Sequence, residues 1–122
     1  MYPSTPLQIG SNIADRLNEL GSLVVAITQQ LPTGAAYRHV AQQLVRAGTA
    51  CGANYEEARG AESRADFIHK VSVAVKESRE TVYWLKLIER EHASPEVSRA
   101  LDEAMQLCAI LTASVKTAKR NA

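Results

Sequence analysis

Apolar positions recur along the chain in four stripes, each stepping alternately by four and three residues. The first runs through Ile13, Leu17, Leu20, Val24, Ile27 and Leu31, and the second through Tyr37, Ala41, Leu44, Gly48, Cys51, Tyr55 and Ala58. The third comprises Phe67, Val71, Ala74, Ser78, Thr81, Leu85 and Ile88, and the fourth Val97, Leu101, Ala104, Cys108, Leu111, Val115 and Ala118. A repeat of about 3.5 residues is that of helices packed side by side with a left-handed twist. It predicts helices at about 12–31, 35–59, 64–92 and 95–119. Short links between long helices make sequence neighbours antiparallel. The predicted fold class is therefore all-α, an antiparallel up-down-up-down four-helix bundle over residues 12–120, preceded by an extension at 1–11. No run alternates with period two between turn residues, so strands are not expected.

The polar punctuation agrees with the stripes. Asn12, with Asp15 three residues on, is the expected cap of the first helix, and Ser63 with Asp66 that of the third. Ser94, Pro95 and Glu96 supply a cap, a first-turn proline and an acid for the start of the fourth. Pro32 ends the first helix at Leu31. Gly60 follows the second helix and is expected to close it in the left-handed conformation. Gly48 and Gly52 lie inside that helix, where each costs about 1 kcal/mol against alanine. Their offset is expected from a close neighbour, either a helix backbone or a ring, with Tyr83 and Trp84 as the candidate rings.

Beside the third stripe runs a second line at the same spacing: Val73, Glu77, Glu80, Trp84 and Leu87. A tryptophan and a leucine outside the primary seam are the candidates for burial against another subunit. Leu107 and Ile110 flank the fourth stripe in the same way. Arg46, Arg59 or Arg79, of the same or a neighbouring chain, is expected to pair with Glu77 and Glu80. Asn54 stands beside the second stripe and needs hydrogen-bond partners, for which Glu77, Ser78 and Glu80 are the expected source.

Composition changes this picture little. The 122 residues are 46% hydrophobic, enough for the core of one domain. Fourteen Lys and Arg oppose 13 Asp and Glu, a net charge of +1, so no global field gathers a polyanion. The first residues lack the pattern of a secretory signal, and no stretch reaches bilayer-spanning length, so a cytoplasmic location without membrane contact is expected. Cys51 and Cys108, both on core stripes, are expected to be thiols rather than a bridge or a nucleophile. Glu89 and His92 have the Glu-x-x-His spacing of di-iron bundles, but such a site needs two of these motifs and two further carboxylates. His39, His69 and His92 read as surface or boundary residues, and neither a metal nor a cofactor is expected.

Residues 46–88, "RAGTACGANYEEARGAESRADFIHKVSVAVKESRETVYWLKLI", carry a more specific signal. They resemble the signature region of the bacterial four-helix bundle protein family, whose members include proteins encoded in intervening sequences of large-subunit ribosomal RNA genes. The matching elements are Gly-Ala-Asn-Tyr with Glu nearby, Ser-Arg-Ala-Asp-Phe and Glu-Thr-x-Tyr-Trp-Leu. Cys51 stands where an aliphatic residue is more usual, and Gly60 and Ala61 at a junction often more basic. The resemblance implies assembly of the bundle into a homopentameric ring. It also implies recurrent polar positions at Asn54, Glu57, Glu77 and Glu80, with Phe67, Tyr83 and Trp84 as recurrent aromatics.

The expected function is a non-enzymatic, homo-oligomeric interaction or scaffold protein. The alternative is a nucleic-acid-binding accessory factor, similar to the intervening-sequence proteins and to those that serve retroelement reverse transcriptases. Its candidate contacts are Arg38, Arg46, Arg64, Lys70, Lys116, Lys119 and Arg120, which a ring would multiply on one rim. An enzyme would need Glu77 and Glu80 to line an intersubunit pocket.

Overall fold

The computed structural model describes residues 6–121, with side chains from Asn12 onward. Four helices follow one another: α1 (Pro6–Gln29), α2 (Ala35–Arg59), α3 (Arg64–Glu91) and α4 (Pro95–Arg120). Each packs on its neighbours in sequence, and α4 closes the ring against α1, which is the expected antiparallel four-helix bundle. Of the expected extension at 1–11, residues 1–5 lie outside the described residues. The remainder already belongs to α1, so Asn12 sits inside the helix and is no cap. Pro6 stands first in α1, where its missing N–H removes no helical bond. The same helix ends at Gln29, two residues short of Leu31.

The expected caps of α3 and α4 form. Ser63 Oγ accepts from the Asp66 N–H at 3.0 Å, and Ser94 Oγ from the Val97 N–H at 3.1 Å, with Pro95 following at the helix start. Ser94→Ala is expected to lower unfolding free energy by about 1 kcal/mol, read as the midpoint shift in chemical denaturation. An unmoved midpoint would mean that water replaces the cap without loss. Gly60 departs from expectation: its φ of −98° and ψ of 14° are not left-handed. The chain leaves α2 through tight turns instead, Gly60 N–H to the Glu57 carbonyl and Ala61 N–H to that of Ala58. The left-handed glycine is Gly34, at φ 125°, where the chain turns into α2.

The stripes become the core. Leu17, Leu20, Val24 and Ile27 of α1 meet Leu44 and Cys51 of α2, Val71, Leu85 and Ile88 of α3, and Val97 and Leu111 of α4, all fully buried. Ser78 and Thr81 are buried with them. Their hydroxyls donate to carbonyls of their own helix, those of Val75 and Glu77, so no polar group is stranded. The fourth stripe needs correcting. Leu107, expected at a flank, is fully buried, whereas Cys108 is only partly covered. Because α4 packs on both α3 and α1, it buries a face wider than one seam, which takes in Ala100 and Leu107.

Gly48 is explained by α1, not by an aromatic ring. A Cβ on Gly48 would stand 2.9–3.2 Å from the Val24 side chain, so its absence lets α1 approach α2 closely. A Cβ on Gly52 would stand 3.5 Å from Leu17 Cβ, an ordinary contact, so the approach of α1 does not require glycine there. Tyr83, one of the rings expected there, is 59% exposed on the far side of α3.

Candidate functional site on the edges of the third helix

The α2-facing edge of α3 is organised by one arginine. Arg46 of α2 reaches across to Glu77 at 3.2 Å and forms a close ion pair with Glu80. Of the three arginines expected there, it is the one that pairs with both carboxylates. Glu80 also accepts from Trp84 Nε1 at 3.1 Å. The Trp84 ring meets His39 edge-on at 5.9 Å between centroids and Tyr83 at 4.9 Å. Arginine, two glutamates and an indole therefore form one linked set, joined through the indole to His39 of α2. The five expected edge residues, Val73, Glu77, Glu80, Trp84 and Leu87, are all half-buried within a single chain.

The polar positions expected from the resemblance do not form one cluster. Glu77 and Glu80 share Arg46. Glu57 instead pairs with Lys70 at 2.7 Å, a hydrogen bond that holds its carboxyl below the ordinary range and raises the lysine ammonium. Asn54 turns back on its own helix and donates to the Ala50 carbonyl at 2.9 Å, not to Glu77, Ser78 or Glu80. A local bond four residues back satisfies the amide without any partner helix.

The seven basic candidates separate as well. Arg46 and Lys70 are paired with carboxylates, and Arg38 lies at the start of α2. Arg64, at the start of α3 and so at the opposite end of the antiparallel bundle, donates to the Ala118 carbonyl of α4 at 3.4 Å. That places it beside the end of α4, where Lys116, Lys119 and Arg120 are exposed.

Cys51 is inert. Burial pushes its thiol up to about 11, and its sulfur lies 3.3 Å from the Ala47 carbonyl oxygen and 3.6 Å from the Thr81 hydroxyl. Cys108 borders a shallow apolar hollow of about 310 Å³ with Arg79, Val82, Met105 and Ala109. His92 caps the end of α3 with its ring 6.4 Å from that of Tyr37, while Glu89 accepts from Ser98. Among the described residues no three His, Cys, Asp or Glu side chains gather as metal ligands. No described helix is long and apolar enough to cross a membrane.

Two further features escaped the stripes. A hollow of about 270 Å³ opens between α2 and α3, lined by Ala36, Tyr37, Val40, Leu87, Ile88 and Glu91. It continues the α3 edge past Leu87. Arg16 of α1 grips Glu103 of α4 through two hydrogen bonds at 2.8 and 2.9 Å. The bond from Arg16 lowers the Glu103 carboxyl and in turn raises the guanidinium. Both residues stand one position before a core residue, Leu17 and Ala104, and that flanking register is the signal by which the pair could have been found.

Fold and site together define a class: an antiparallel helical bundle whose polar groups are satisfied along its seams, with part-covered aromatic surface on one helix edge. The chain belongs to the 23S rRNA-intervening sequence protein family, whose model matches residues 10–113. It is similar to the crystal structure of a protein of unknown function from the S23 ribosomal protein family of Bacteroides thetaiotaomicron. The two share 29% identity with a TM-score of 0.73, over 85% of this chain and 98% of that one. No curated protein matches.

Proposed function

We propose that this chain is a non-enzymatic cytoplasmic binding module that assembles with copies of itself, in a ring of five as the family resemblance implies. One observation carries the reading: Trp84 and Leu87 stay half-exposed beside an apolar hollow, although the bundle's own core is complete. The ion pairs support it. Covering an unpaired carboxylate costs several kcal/mol, but Glu77 and Glu80 already have Arg46, so a second subunit can lie on this edge without stranding either charge. The same pairing leaves no free carboxylate pair there to serve as acid and base.

The test is mass in solution by light scattering, alongside helicity by circular dichroism. The wild type is expected at about five times the chain mass. Trp84→Ala is expected to dissociate it while keeping its helical signal, because an aromatic anchor at an interface contributes about 2 kcal/mol or more. A wild-type monomer would overturn the assembly.

A second reading, a nucleic-acid-binding accessory factor, is favoured by the contact of Arg64 with the end of α4. It gathers cations at one end of the bundle, and a ring would repeat that charge around a rim.

A further inference from the structure

The solvent edge of α3 carries a feature that neither stripe includes. Lys76, Arg79, Tyr83, Lys86 and Arg90 follow one another at steps of three, four, three and four residues, and all five are exposed. At 1.5 Å per residue they form a line about 21 Å long. None of the four cations makes an ion pair or side-chain hydrogen bond among the described residues, whereas Arg16, Arg46 and Lys70 are all held by carboxylates. In a chain of net charge +1, four unengaged cations on a single helix edge are a marked segregation of charge.

We infer that this edge is the track for a single-stranded nucleic acid, a partner that rests on the second reading above and gives it a location. The cations fit any polyanion, and the aromatic residue decides among them. Tyr83 lies at the middle of the line, and its ring is braced edge-on by Trp84 at 4.9 Å yet remains 59% exposed. Single-strand sites pair such a cationic path with aromatic faces on which bases stack, and a planar base covers an exposed ring more completely than a flexible acidic side chain does. The adjoining hollow formed by Arg79, Val82, Met105 and Ala109 adds apolar floor for a second base on the α4 side. The four cations lie on the exposed side of α3 and Tyr83 borders the α2-facing edge through its contact with Trp84, so the track adjoins the surface proposed for assembly.

Fluorescence anisotropy with a labelled, mixed-sequence single-stranded RNA, titrated over a range of salt, tests this. The variant with Lys76, Arg79, Lys86 and Arg90 all changed to Gln is expected to bind at least tenfold more weakly. Its log–log salt slope should be shallower by about 2–3, near 0.7 per lost cation. Tyr83→Ala should weaken binding about tenfold, and Tyr83→Phe should not, because stacking needs the ring and not the hydroxyl. Light scattering on the four-cation variant and on Tyr83→Phe should show unchanged mass.

If the wild type fails to bind at low salt, both this inference and the second reading fall. If binding instead follows Arg64→Gln, Lys119→Gln and Arg120→Gln while the α3 variant binds normally, the second reading stands and the α3 track is wrong. If polyglutamate displaces the RNA as effectively as unlabelled RNA does, the edge is a dock for acidic protein and the inference is overturned.

Discussion

Leu107→Ala is expected to lower the unfolding free energy by about 3 kcal/mol, while Met105→Ala, two residues away, changes it by less than about 0.5 kcal/mol. Leu107 has no exposed surface, and it faces the interior where α4 meets the rest of the bundle. Removing its isobutyl group forfeits transfer free energy and leaves a void that straight, well-packed helices close poorly. Met105 is 50% exposed beside Cys108, so truncating it removes little buried contact. The measurement is urea unfolding followed by circular dichroism at fixed protein concentration, with mass checked by light scattering. Leu107→Ala should keep the wild-type mass. A variant that loses mass while its unfolding midpoint stays put would return Leu107 to a subunit interface, where its flanking position in the pattern had suggested it belonged.

Leu107 also shows how far the pattern reaches. Burial in a helical bundle imposes a 3.5-residue period, so all four helices and most of the core were legible from spacing alone. A stripe gives the direction of a face but neither its width nor what lies opposite. That is why α4, packed on two neighbours, buried Leu107 and left Cys108 at the margin. For the same reason Gly48 could be read as a place of close approach, although its partner, Val24, could not. Caps are legible because residue order fixes them, whereas a polar side chain in mid-helix does not declare whether it bonds its own helix or another. The caps at Ser63 and Ser94 are local and were foreseen. Asn54 stands beside the stripe as if to meet a partner across the bundle, yet its own helix supplies one. The Arg46 pairing was foreseen only as one of three arginines, since the spacing places Glu77 and Glu80 on an edge without saying which cation reaches them.

Gly48→Leu is expected to destabilise the bundle by about 2 kcal/mol, against the helix-propensity gain of roughly 1 kcal/mol that replacing a helical glycine brings. Even the first added carbon would stand 2.9 Å from a Val24 methyl, closer than real Cβ contacts. Val24 is fully buried and β-branched, so it has few rotamers by which to retreat. The chain's alternative is to push α1 away from α2, which opens the packing of Leu17 and Leu20 along the same seam. Gly52 is the internal control. Its added carbon would meet Leu17 at 3.5 Å, an ordinary contact, so Gly52→Ala should keep most of its propensity gain and stabilise by about 0.5–1 kcal/mol. The cause is tested by a double-mutant cycle: Gly48→Ala combined with Val24→Ala should be more stable than the two single changes predict, by about 1 kcal/mol. Strict additivity would mean that Val24 is not what Gly48 makes room for. If Gly48→Leu instead stabilised the protein, the close approach of α1 and α2 would not be the reason this helix carries glycine on its buried face.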